Sequence, residues 1–156
     1  MRRRTILAAL AGATTAHPLY AGAVRAVLRR NVAALMAGDP GPLLKMYAAD
    51  AQMTFPGEST WGRTYRGRDD IEGFLRRFLA AGLRGEVRDI FVAGPPWATR
   101  IALQFDDWAH DDAGTKVYEN RAVILLHTRW GKVVEELVYE DTQKVAAFDE
   151  LVLAAA

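Results

Sequence analysis

The segment RWGKVVEELVYEDT, residues 129–142, concentrates groups able to carry protons. Trp130-Gly131 reads as a tight turn, and the strand after it sends Glu136 and Glu140 to one face and Glu135, Leu137 and Tyr139 to the other. A carboxyl group turned into an apolar cavity has a raised pKa and becomes a candidate general acid or base. A nearby arginine reverses that shift. Other chemistries find less support: with no cysteine in the chain there is no thiol nucleophile and no Cys-type zinc site. His17, His110 and His127 are too far apart in sequence to form a ligand motif. A Gly-rich phosphate loop and a Gly-x-Ser-x-Gly elbow are both missing, so neither a metal nor a cofactor is expected.

The 156 residues suffice for one domain with one core. A formal net charge of +1 argues against a nucleic-acid partner, because such proteins concentrate Lys and Arg strongly. The charge is nevertheless uneven: residues 1–30 hold six arginines and no acid, whereas residues 131–156 hold two lysines against six acids. MRRRTILAALAGATTA, residues 1–16, reads as an N-terminal extension with features of a short twin-arginine-like export signal. Its apolar stretch is short for export and far too short to span a bilayer, so the expected location is cytoplasmic, with export as the alternative.

Residues 17–156 read as a single α+β domain. A helix opens at His17-Pro18, carries Tyr20, Val24, Val27, Leu28 and Leu35 at helical spacing, and stops at Gly38-Asp39-Pro40. Asn31 falls on its buried stripe. Pro42 to Ala48 predicts a short second helix, Ala51 to Phe55 a strand, and GESTWGRTYRG a loop. Asp69 and Asp70 begin a third helix whose stripe is Ile71, Phe74, Leu75, Phe78 and Leu79. The period then changes to two, giving strands at 86–93, 99–109, 116–128 and 132–141 before a last helix, 142–153. On that helix Val145, Phe148, Leu151 and Val152 are expected to face inward. AVILL in the third of these strands is apolar on both faces, so helices should cover one and a second subunit the other, giving a homodimer through the sheet.

The order of these elements, with VAALMAGDPGPLLKMYAADAQMTFPG, TYRGRDDI and WGKVVEELVYEDT at matching places, resembles the SnoaL-like branch of the nuclear transport factor 2-like superfamily over about residues 18–150. That resemblance implies a cone: a strongly curved, mostly antiparallel sheet with three helices from the first half of the chain on one face and a C-terminal helix. It implies no single activity, since the scaffold hosts isomerases, epoxide hydrolases, polyketide cyclases and non-catalytic modules. The ketosteroid isomerase set is replaced here by Asn31, Phe55 and Val123, and Val138 stands where the hydrolases and cyclases carry an aspartate. Gln104-Phe105-Asp106 lies within about one residue of the hydrolases' Arg-x-Asp pair, which leaves Asp106 as a possible lone base. The alternation of Ile101, Leu103 and Phe105 instead places Gln104 and Asp106 in solvent.

Counting from Gly131 without a gap, Val134, Glu136 and Val138 face the cavity with Glu140 at its rim, and Arg121, Val123, Leu125 and His127 face inward on the neighbouring strand. Trp61 and Tyr65 belong to the loop over the mouth. The expected ligand is a hydrophobic or amphipathic small molecule, lined by Asn31, Phe55, Trp61, Tyr65, Gln104, Val123, His127 and Val138. Glu136 or Asp106 would move a proton and Arg121 or Asn31 would stabilise negative charge, in a cofactor-independent isomerase or cyclase. An ion pair between Glu136 and Arg121 is the structural alternative. A non-catalytic binding or dimerisation module is the alternative function, and Val138 disfavours epoxide hydrolysis.

Overall fold

The computed structural model describes residues 16–154. Residues 1–15, where the export-like features fall, lie outside the described residues. Helix α1 (Pro18–Met36) starts with proline in its first turn, where the missing N–H costs nothing, and His17 Nδ1 accepts from the Leu19 amide at 3.3 Å. The short α2 (Gly41–Leu44) leads into β1 (Tyr47–Phe55), and β2 (Arg63–Arg66) pairs antiparallel with it. After α3 (Arg68–Ala80) come β3 (Arg84–Ala93), β4 (Thr99–His110), β5 (Lys116–Arg129), β6 (Lys132–Tyr139) and finally α4 (Thr142–Ala154). The sheet order is β2-β1-β6-β5-β4-β3, and among the described residues only the β1–β6 pair is parallel. The architecture is the α+β curved sheet expected from the sequence.

Local structure departs from expectation at three places. The residues RTYR form β2 where a loop was expected, because Thr64 and Tyr65 alternate out and in against Thr54 and Met53. The second helix ends at Leu44, so Tyr47 is a strand residue and sends a buried side chain inward. On α4, Leu151 is exposed and Asp149 takes a buried position; its carboxylate accepts from the Thr60 amide and hydroxyl at 2.7 Å each and from Arg77 at 3.1 Å.

Helices α1 and α3 lie against the sheet, and the basic side chains of α1 have a specific structural use. β3 is an edge strand with a register break between Val87 and Ile90, which leaves carbonyls outside the ladder. Arg29 donates to the carbonyls of Val87 and Arg88 at 2.7 Å each, and Arg25 to that of Ile90 at 3.0 Å. Part of the N-terminal positive charge is therefore spent on closing a strand edge.

The core between the helices and the concave sheet face gathers around Phe74 of α3. Its ring meets Phe55 at 5.5 Å, Trp61 at 5.7 Å and Tyr65 at 5.0 Å between centroids. Such tilted and edge-on contacts suit the ring quadrupoles and add to the burial of apolar area. The 57–62 turn that delivers Trp61 requires glycine at position 62, since a Cβ there would stand 1.9 Å from the Gly57 carbonyl oxygen. Phe74→Ala is expected to destabilise the fold by about 3–5 kcal/mol, read as a lower urea midpoint at an unchanged slope. A loss below about 1 kcal/mol would contradict this packing.

Candidate functional site

A bulge decides what the concave face carries. The turn at Trp130-Gly131, both with positive φ, pairs Arg129 with Lys132 and Thr128 with Val133, but the next partners are His127 and Glu135. Val134 is the extra residue, and beyond it Leu126 faces Glu136 and Ile124 faces Val138. Side chains opposite one another in a ladder share a face, so the inward residues of β5 are Tyr118, Asn120, Ala122, Ile124, Leu126 and Thr128. On β4 the inward set is Thr99, Ile101, Leu103, Phe105, Asp107 and Ala109.

These faces, with α1, α3 and α4, line a cavity of about 120 Å³. Most of its wall is apolar, built from residues such as Leu28, Phe55, Trp61, Phe74, Leu103, Ile124, Val138 and Phe148. Among the described residues five polar side chains complete the lining: Tyr47, Asp107, Tyr118, Glu136 and Glu140. They form two stations, separated along β6 by the four residues from Glu136 to Glu140, or about 13 Å.

At one station Glu136, 6% exposed, accepts a short hydrogen bond from the Tyr47 hydroxyl. Burial raises its pKa to about 7, with the Tyr47 bond acting in the opposite sense. At the other station Asn120 Nδ2 reaches Tyr118 Oη at 3.1 Å, Glu140 Oε2 at 3.2 Å and the Asp141 carbonyl at 3.0 Å. Asp107, directly across the ladder from Asn120, is 6% exposed, and burial raises its carboxyl to about 6 while the Tyr118 hydroxyl lowers it. Burial and the Asp107 charge together push Glu140 up to about 8. One oxygen of each acid, Asp107 Oδ1 and Glu140 Oε1, is buried without a protein hydrogen-bond partner. Unpaired buried oxygens of this kind are costly.

Not all of the residues expected at the site meet there. Glu136, Val138, Phe55 and Trp61 line the cavity. Arg121, Val123, Leu125 and His127 do not face inward as the ungapped count required; the Val134 bulge reverses the parity between β5 and β6 and sends them to the outer face. The same bulge makes Val133 the buried residue at the start of β6, in place of Val134. Gln104, opposite Val123, also lies outside. Arg121 therefore pairs with Asp106 at 2.7 Å and not with Glu136, and Arg88 approaches Asp106 from the other side at 2.8 Å. The two guanidinium groups, Arg121 foremost, hold Asp106 at about 2, which makes it a poor proton acceptor near neutrality. His127 bonds to Glu135 at 2.6 Å on that outer surface.

Asn31 is buried on α1 but does not line the cavity; its Nδ2 donates to the Pro42 carbonyl at 3.1 Å and ties α1 to α2. Tyr65 is likewise structural, its hydroxyl donating to the Trp61 carbonyl at 2.9 Å. Trp61 is held by the Arg77 guanidinium, 3.9 Å above its ring. Asp107, Tyr118 and Asn120 are site residues that the sequence pattern did not single out. The signal for Asp107 was present, since it continues the alternation of Ile101, Leu103 and Phe105. Among the described residues no group of three or more His, Asp or Glu is placed to hold a metal ion, and no helix is long and apolar enough to cross a membrane.

The state of Glu136 gives a pH test. Its folded pKa lies above its ordinary value of 4.5, so the stability it contributes is present below about pH 4.5 and is lost as pH rises through about 7. Glu136→Gln carries no such loss. Relative to the parent, the variant should gain on the order of 3 kcal/mol between pH 5 and pH 8.5, seen as a Tm difference that moves in its favour. A pH-independent difference would contradict the buried, proton-holding carboxyl.

The comparisons bear on the fold. The family model described as the SnoaL-like domain matches residues 28–136. Among solved structures, Bal32a from a soil-derived mobile gene cassette aligns with a TM-score of 0.68 at 17% identity, covering 82% of this chain and 97% of that one. A putative polyketide cyclase from Xanthomonas campestris pv. campestris aligns at 0.59 and 19% identity, covering 83% and 98%. TerC, co-crystallised with polyporic acid, aligns at 0.64 and 22% identity, covering 83% and 97%. Identities this low carry the fold alone. No curated protein matches the chain significantly. The matched span takes in α1 from Leu28 through β6 as far as Glu136, and on that ground the chain belongs to the SnoaL-like domain family.

Proposed function

We propose that this protein binds a small, largely apolar molecule in its cavity and acts on it by proton transfer without a cofactor, in the manner of an isomerase or cyclase. The observation that carries this reading is a pair of carboxyl side chains, Asp107 and Glu140, in the wall of an otherwise apolar cavity, each with one buried oxygen that has no hydrogen-bond partner among the described residues. Near neutral pH the pair holds one acid readily ionised and one readily protonated, with pKa values of about 6 and about 8. Asp107 then serves as base and Glu140 as acid, each titrating near the working pH as efficient proton transfer requires. Tyr118 and Asn120 hold the two groups in place, and protonated Glu140 supplies a donor for negative charge developing on a substrate oxygen. Glu136, engaged by Tyr47, is a lesser candidate for the proton carrier. A putative polyketide cyclase and a protein co-crystallised with polyporic acid share this fold, with which the proposed activity is compatible. Epoxide hydrolysis has less support, because among the described residues no arginine lines the cavity and Arg121 is held outside by Asp106.

A second copy of the chain is the proposed partner. Phe91, Ala102, Leu125 and Leu137 stand in one row across four strands of the outer face, and Val123 pairs with Tyr139 beside them. Phe91, Val123 and Tyr139 are 67%, 45% and 55% exposed, which leaves an apolar band facing solvent in a single chain.

Ligand-observed NMR against lipophilic ketones and aromatic polyketides should reveal binding. With a substrate so found, Asp107→Asn and Glu140→Gln should each cut kcat by about a hundredfold or more, while Asp106→Asn retains turnover. Equal loss in all three variants, or none, would contradict the assignment. The dimer has its own test: sedimentation at micromolar concentration should show two copies for the parent and one for Tyr139→Lys. A monomeric parent would rule out the sheet-mediated pair.

A further inference from the structure

Two tryptophans stand apart from the cavity, at one end of the sheet. Trp97 lies in the β3–β4 loop GPPWA, residues 94–98, and Trp130 in the β5–β6 turn. They are 55% and 71% exposed, and their rings meet at 5.9 Å between centroids. The first loop is built to hold its ring in place: the Ala98 amide and the Thr99 hydroxyl both donate to the Pro95 carbonyl at 2.9 Å. Gly94 has φ 83, and a Cβ there would stand 2.6 Å from the Ala98 carbonyl oxygen. Trp130 is held against its own backbone preference. It occupies the first position of a two-residue turn that needs positive φ at both residues, where Asn, Asp or Gly fits without strain. A bulky side chain is disfavoured there, yet Trp130 takes φ 51. Burial does not explain the choice, since the ring is mostly in solvent. A strained backbone that displays an exposed ring points to a contact made by that ring.

The charge around the two rings has one sign. Three segments meet at this end: Thr99 pairs with Thr128, the Val133 amide donates to the Met46 carbonyl at 2.8 Å, and Lys132 Nζ donates to the Lys45 carbonyl at 2.6 Å. Their sequences, GPPWATR (94–100), HTRWGKV (127–133) and PLLKM (42–46), contain Lys45, Arg100, Arg129 and Lys132, all exposed, and no acid. Among the described residues none of the four forms an ion pair. Glu135, further along β6, is engaged by His127. Since the whole chain has a formal net charge of only +1, this positive end is a local feature.

We propose that this end of the protein docks reversibly on the surface of an anionic lipid bilayer, with Trp97 and Trp130 in the headgroup layer and the four cations against lipid phosphates and carboxylates. Tryptophan suits that layer because its ring is apolar and its N–H finds water or a headgroup oxygen. Lysine and arginine lay their aliphatic stems beside such rings and keep their charge at the negative surface. The two kinds of residue supply the two signals that a peripheral contact needs. A single-stranded nucleic acid fits less well, since it requires a positive groove that follows its backbone, whereas these cations flank two loop tips. The contact would also bring the cavity to the layer in which apolar molecules partition. Docking uses none of the residues that line the cavity, so it and the proposed activity can fail separately.

Flotation of the full chain with vesicles tests this. The parent should float with phosphatidylcholine vesicles that contain about a third phosphatidylserine, release as salt is raised, and bind phosphatidylcholine alone far more weakly. Arg129→Gln and Lys132→Gln should each weaken binding about fivefold, and Trp97→Ala about tenfold. Arg2 to Arg4 are present in every variant, so the differences between variants report this end of the molecule. Trp130→Asn separates docking from folding: it should bind about tenfold more weakly while its Tm stays level or rises, because Asn suits the turn. A clear fall in Tm for Trp130→Asn would make the ring a packing element and overturn the proposal. So would a parent that stays unbound on the mixed vesicles, variants that bind as the parent does, or tighter binding to a single-stranded oligonucleotide than to the vesicles. Loss of self-association in sedimentation of Trp97→Ala would assign the rings to a second copy and contradict lipid docking.

Discussion

The site depends on one extra residue. A two-residue turn sets the β5–β6 ladder so that even positions on one strand oppose odd positions on the other, and the bulge at Val134 changes this to even against even. Glu136, Val138 and Glu140 thereby share the concave face with Tyr118, Asn120, Ala122, Ile124 and Leu126. Without the bulge, Arg121 and His127 would turn inward wherever Glu136 did. The cavity would then hold salt-bridged acids with depressed pKa values, and its carboxyl groups would lack their proton-holding character.

Parity propagates from strand to strand. Because Asp106 opposes Arg121 and Asp107 opposes Asn120, one outward pair becomes a surface ion cluster and one inward pair becomes a buried polar station. Two adjacent aspartates in one chain thus acquire opposite titration behaviour, about 2 and about 6, purely from the face each occupies. The outer charges are compensated by Arg88 and Arg121 and are structural. The inner acids are compensated chiefly by hydroxyl and amide groups, with the charge of Lys144 acting on Asp107 as a smaller contribution.

Much of the fold was legible in the residues themselves. Helical stripes, Gly and Pro breaks and the change from a 3.6 to a 2.0 period located α1, α3, α4 and the four long strands, because burial of one face imposes those periods. The order of elements carried the family resemblance for the same reason. The misplaced pieces were local contests: RTYR has too few residues to show a period, and Tyr47 follows a helix-favouring Pro-Leu-Leu run yet is drawn into β1, paired with Val133 of β6. The site was only half legible. Glu136, Val138, Phe55 and Trp61 emerged, but the bulge at Val134 involves an ordinary β-branched residue, with no glycine or proline to announce it. Every assignment on β5 therefore inverted. Asp107 was hidden differently, since an aspartate ending an apolar alternation looks like the return to solvent until Asn120 and Tyr118 are seen closing over it.

The central claim is that three carboxyl groups stand inside a desolvated cavity while Asp106 stands outside it. The most direct measurement is a pH titration of the side-chain carboxyl carbons by NMR, with resonances assigned by single Asp→Asn and Glu→Gln substitutions. Midpoints are expected near 6, 7 and 8 for Asp107, Glu136 and Glu140, and near 2 for Asp106. All four titrating together in the ordinary carboxylate range around pH 4 would contradict the claim.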